Sequence, residues 1–159
     1  MELVQGCAVS VASVAALIDV WSRRIPNWVT FGTLLGGVLI NAWLHGFGGV
    51  VTALLGAALG LAMLLPFYGM RAIGAGDVKL LAAVGSLVGP QALISIAIYG
   101  AIVGGAMSVL ILLRHGLLAR TLGDMLRGTL PRRSGAKAPY GIAIASGVYL
   151  SMMLPAVLG

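Results

Sequence analysis

Acidic side chains are nearly missing from this chain. Only Glu2, Asp19, Asp77 and Asp124 occur among 159 residues, against ten Lys and Arg. Charged residues of both signs make up 9% of the sequence, where a soluble domain carries about a quarter. That scarcity excludes a soluble globular domain. Cysteine occurs once, at Cys7, which excludes an intramolecular disulfide and a cysteine-based zinc site. No phosphate-binding P-loop is present, and the two histidines, His45 and His115, have no suitable carboxylate near them in sequence. The first apolar run lacks the basic residues that precede the core of a secretory signal; its arginines, Arg23 and Arg24, come after it.

What fills the chain is apolar: 60% of residues are hydrophobic and the mean hydropathy is +1.06. A membrane-spanning helix takes roughly 20 apolar residues. The pattern predicts helices at about 3–21, 28–44, 48–69, 77–89, 91–113 and 140–158. The expected fold is all-α, a polytopic membrane helix bundle of about six transmembrane helices forming a single domain over 1–159. Small residues at helical spacing, Gly32/Gly36, Gly56/Gly60 and Gly100/Gly104, suit close helix packing in lipid.

The basic residues set an orientation. Arg23 and Arg24 follow the first helix, Arg71 and Lys79 flank the third junction, and Arg114, Arg120, Arg127, Arg132, Arg133 and Lys137 lie before the last helix. All three connections fall on one side, and the positive-inside rule makes it cytoplasmic. Both termini are then outside. The segment at about 114–137 is amphipathic in its first half and fits a helix lying along the inner leaflet. The net charge of +6 is thereby accounted for by anionic headgroups, without nucleic acid as a partner.

Two of the carboxylates stand out. Asp19 lies at the cytoplasmic end of the first helix and Asp77 begins the fourth, both at membrane depth, where an ionisable group is costly and marks a candidate site. Ion pairing accounts for Asp19, four residues from Arg23, better than for Asp77, two from Lys79. "GAGD" puts Gly74 and Gly76 directly before Asp77; glycine admits unusual backbone conformations and close approaches, while an Asp there also suits a plain helix cap. If the two helices bring the acids together, the pair shares a proton. The protonated member donates to a carbonyl oxygen and the ionised one activates water, as in an aspartic protease. That chemistry needs no metal and no cofactor.

At these residues the chain resembles the type IV prepilin peptidases. "DVWSRRIPN" (19–27) resembles their first signature, "GAGDVKLLAAVG" (74–85) the GxGD signature, and "APYGIAIASG" (138–147) the Pro-Tyr-Gly start of their last helix. The resemblance implies a bacterial inner-membrane endopeptidase that removes the short basic leader of prepilins on the cytoplasmic side. It implies catalytic roles for Asp19 and Asp77, an active-site loop at Gly74 and Gly76, and supporting places for Pro26, Asn27, Lys79, Pro139, Tyr140 and Gly141. Lys79, with Arg23 and Arg24, is expected to turn toward lipid headgroups. Larger members carry a cytoplasmic segment with paired cysteines and methylate the new pilin N-terminus; this chain, with one cysteine, resembles the short form serving tight-adherence (Flp-type) pili. Two other classes remain open: a cation or solute carrier built on Asp19 and Asp77, and a noncatalytic pilus-assembly protein.

The orientation has a direct check. With Cys7 replaced, Ala75→Cys should react with an impermeant thiol reagent from the cytoplasmic face alone; labelling from outside would overturn the topology.

Overall fold

The computed structural model describes residues 2–22, 26–70, 73–116, 123 and 140–154. Helices account for nearly all of them: α1 (Glu2–Ser22), α2 (Asn27–Gly69), α3 (Ala75–Arg114) and α4 (Tyr140–Met153). α2 and α3 are long and apolar enough to cross a membrane. At 43 and 40 residues, either would be about 60 Å long if straight, roughly twice the thickness of a hydrocarbon core.

Neither is straight. Gly46 (φ 60°, ψ −142°) breaks α2 and Gly89 (φ 79°, ψ 174°) breaks α3, both in backbone conformations that side chains other than glycine's disfavour. At each break the chain doubles back. A side chain on Gly49 would collide with the Asn41 carbonyl, and one on Gly85 would come within 2.8 Å of Leu93 Cδ2. Residues eight apart in a continuous helix are about 12 Å apart along the axis. The connections expected between the helices ending at about 44 and 89 and those starting at about 48 and 91 are therefore single residues with helix on either side.

The first arm of α3 (75–88) is the centre of the bundle, and Val78 and every residue from Leu80 to Leu87 are buried. Both arms of α2 flank it. The first arm (27–45) runs alongside it in the same direction, since Asn27 meets Lys79 and Asn41 meets Ser86 and Leu87. The second arm (47–69) runs oppositely, with Gly56 against the backbone of Gly85 and Gly60 against Leu81 and Ala82. α4 packs on the second arm of α3 (90–114): Gly100 meets Ala143, and Gly147 meets Ile96. α1 rests on α4 and α3 with Ala8 and Ala12 buried, and Ser13 Oγ lies 2.9 Å from Tyr149 Oη. Among the described residues it scarcely touches α2.

The perimeter is apolar. Trp28, Phe31, Leu35, Leu39 and Trp43 form an exposed stripe on the first arm of α2, and Leu54, Leu61, Leu65, Ile102 and Leu110 are exposed elsewhere. A surface of this kind in water would be a large aggregation-prone patch; around a bundle that buries small residues at its helix contacts, it is a lipid-facing surface.

Of the glycine pairs expected to pack, Gly56/Gly60 and Gly100/Gly104 are buried. Gly32 and Gly36 are not at a contact, and nothing lies near the position of a side chain on either. One residue along a helix is a rotation of about 100°, and it is Gly37 that meets Ser86 and Leu87. The expected final helix to 158 is described only as far as Met153. The basic segment at 114–137 lies outside the described residues apart from 114–116 and 123.

The break at Gly89 leaves carbonyls to satisfy. Pro90 has no N–H to offer Ser86, and the Leu87 carbonyl faces the turn. Asn41, buried on α2, donates from Nδ2 to the Ser86, Leu87 and Gly37 carbonyl oxygens at 3.0 Å each. Leaving buried acceptors unpaired costs about 1–3 kcal/mol. Asn41→Leu, close in shape, should lower the unfolding temperature of the detergent-solubilised protein; an unchanged melt would show that this side chain does not hold the break.

Candidate functional site

The positions of the two breaks decide which helix ends meet. A cavity of about 600 Å³ lies beside them, lined by Ala8 of α1, Asn41, His45 and Thr52 of α2, Leu87 and Ser95 of α3, and Ser151 and Met152 of α4. From that level the helices run to the opposite end of the bundle. At about 1.5 Å per residue, Asp19 stands some 16 Å from Ala8, Asp77 about 15 Å from Leu87, and Tyr140 about 16 Å from Ser151. The end of α1 and the starts of α2, α3 and α4 thus share one end, and the cavity belongs to the other. Asp19 and Tyr140 are placed here by their backbones.

At the start of α3, Gly74 is the residue before the first helical turn, with φ −83° and ψ 153°. Asp77 is the third helical residue, and its Oδ2 accepts the Gly74 N–H at 3.1 Å. This is the carboxylate half of a capping box, with the negative group at the positive end of the helix dipole. Sequence reasoning expected helix 4 to begin on Asp77; it begins at Ala75, so the carboxylate reaches back over the turn. The glycine at 74 is not there for its backbone freedom, because this φ is open to any residue. What it supplies is room: a Cβ would stand 3.2 Å from Asp77 Oδ2. Gly76 is half-buried within the first turn.

Lys79 was expected to face lipid headgroups. Instead its Nζ donates to Asn27 Oδ1 at 3.0 Å, because the first turn of α2 lies alongside the first turn of α3. Pro26 is the cap residue of α2 in an extended conformation. Its carbonyl accepts Val29 N–H at 3.1 Å, and Thr30 Oγ1 donates to the Asn27 carbonyl at 3.0 Å. Gly141 is buried in the first turn of α4. Arg23, Arg24, Arg71 and Pro139 lie outside the described residues. Among the described residues, no three His, Cys, Asp or Glu gather as a metal-binding group. The contact that sequence reasoning missed is the Asn27–Lys79 bond; its signal was that both residues sit in signature segments expected on the same side of the membrane.

Fold and site define the class: a helical membrane protein that gathers its few polar signature residues at one end of an apolar bundle. The comparisons then place it more closely. Residues 7–109 match the model of the type IV leader peptidase family. A prepilin leader peptidase/N-methyltransferase of Aeromonas hydrophila is 38% identical over 106 residues, covering 62% of this chain and 36% of that protein. One of Burkholderia pseudomallei is 30% identical over 148 residues, 89% of this chain and 42% of that protein. No solved structure matches the chain. The chain belongs to the type IV leader peptidase family, a family of peptidases, and spans about two fifths of the length of these curated relatives.

Proposed function

We propose that the chain is a membrane aspartic endopeptidase that removes the short basic leader of prepilins, of the Flp type, at the cytoplasmic face of the bacterial inner membrane. The observation that carries this reading is the convergence of three signature segments, around Asp19, Asp77 and Tyr140, on one end of the bundle in a chain that belongs to a peptidase family. Counted as arms, α1, the halves of α2 and α3, and α4 make six crossings with both termini outside, in one domain.

In this reading Asp19 and Asp77 are the catalytic pair. Two carboxylates close together cannot both ionise easily and hold one proton between them. The ionised acid takes a proton from water as that water attacks the scissile carbonyl, while the protonated acid donates to the carbonyl oxygen; on collapse the first acid passes the proton it took to the leaving amine and the second recovers one from the hydroxyl of the tetrahedral intermediate. The bond from Gly74 N–H holds one carboxylate oxygen of Asp77 in place, and the missing side chain at Gly74 keeps that oxygen uncrowded. The substrate's apolar segment would lie in lipid beside the bundle with its leader at the acid end. The place of Asp77 in the first turn of a helix at the end of the bundle, away from its middle, favours a peptidase over a carrier with a site near the bilayer midplane.

Asp19→Asn and Asp77→Asn should each abolish leader removal from a co-encoded small pilin, a loss of at least about 10²–10⁴-fold for a general acid–base group, while membrane insertion persists. Full cleavage by either variant would refute the pair. Gly74→Val is a subtler case. Its added bulk displaces the Asp77 carboxylate, and misplacement of about 1 Å costs roughly a hundredfold in rate; turnover should fall with little change in the melting temperature. Undiminished turnover would show that room at position 74 is not needed.

A further inference from the structure

We propose that Asn27 and Lys79 form a positioning tie that fixes the end of α1 relative to the turn carrying Asp77; this rests on the peptidase reading above. Each partner of the tie is itself held. On α2, the first turn is locked by Val29 N–H on the Pro26 carbonyl and by Thr30 Oγ1 on the Asn27 carbonyl, with Val29 and Thr30 buried. On α3, Lys79 sits between buried Val78 and buried Leu80, one turn from the Gly74–Asp77 bond. The Lys79 Nζ to Asn27 Oδ1 contact, at 3.0 Å, links these two fixed turns across 52 residues of sequence.

The fold has a reason to need such a link. α1 carries Asp19 but, among the described residues, scarcely packs on α2, and residues 23–26 join its end to Asn27 in the sequence. Among the described residues of α1, the buried Ala8 and Ala12 lie toward its start, while Leu17 and Trp21 near its end are exposed. The arrangement of the two acids therefore depends on how firmly the start of α2 is tied to the start of α3. A lysine suits the task because its four-carbon stem lies along apolar surface while the ammonium reaches a polar partner. The tie acts through the acids by setting their separation, so Lys79 and Asn27 are positioning residues.

Two measurements on the full chain in lipid test this. In the first, leader removal from a small prepilin is followed in Asn27→Leu, Lys79→Met and the double variant. Loss of positioning should lower kcat by about tenfold or more with KM held. The double variant should be no slower than the slower single one, and Asn27→Asp, which keeps the acceptor, should keep most of the turnover lost in Asn27→Leu. Wild-type kcat in the single variants, losses that multiply in the double variant, or a change confined to KM would overturn the tie. The second needs no activity. Spin labels on Trp21→Cys and Ala75→Cys, with Cys7 replaced, should report one narrow distance that broadens in Lys79→Met and in Asn27→Leu; an unchanged distribution would overturn the tie. Absence of cleavage by the wild-type chain, with the distances still broadening as expected, would count against the peptidase reading and leave the link between the two turns standing.

Discussion

Two glycine breaks set everything else. An apolar run of 43 residues and another of 40 cannot cross a bilayer as straight rods. Each is folded into antiparallel arms at one residue, Gly46 or Gly89, whose backbone lies where a Cβ would be strained. Both breaks fall at the same end of the bundle. The other helix ends joined through α2 and α3 are then forced to the opposite end, and the signature segments lie on those ends. The break at Gly89 holds because Asn41 supplies the donors that Pro90 cannot, and the arms close because Gly56 and Gly85 present bare backbone to each other.

Much of this was legible in the sequence. The scarcity of charge and the run of apolar residues gave helices and a lipid-facing perimeter, and helix positions agree to within a few residues from 2 to 114. The two isolated carboxylates, Asp19 and Asp77, were read at the end of one helix and the start of another, and the backbone carries both to the same end of the bundle. Three features escaped. Hydropathy marks a turn where polar or small residues gather, so the gaps between the helices expected at 28–44 and 48–69 and at 77–89 and 91–113 read as loops; the structure needs only one glycine for each reversal. Small residues at a spacing of four cannot say which way their face points, so Gly32 and Gly36 read as a contact and are open. The shared membrane side of the two signature segments hinted at the partner of Lys79, but the pairing lies 52 residues away and depends on the parallel course of two arms.

The role of glycine at Gly74 is also different from the one the motif suggests. The sequence offers a permissive backbone; the structure shows an ordinary extended conformation and a carboxylate oxygen 3.2 Å from where a Cβ would stand. The capping bond from Gly74 to Asp77 and the tie from Asn27 to Lys79 belong to one local design. A short central helix is anchored at its start by polar contacts and along its length by burial, so its first turn can present an acid at a fixed place on the rim of an apolar bundle.

The central claim of the functional account is that Asp19 and Asp77 divide one proton between them. Infrared difference spectroscopy of the reconstituted protein at neutral pH reads this directly, because a protonated carboxyl has a stretching band that a carboxylate lacks. The account expects one such band in the wild-type chain, and expects it to vanish in both Asp19→Asn and Asp77→Asn as the remaining acid, freed of its like-charged neighbour, ionises. A wild-type spectrum without that band, or a band that survives both substitutions, would contradict it.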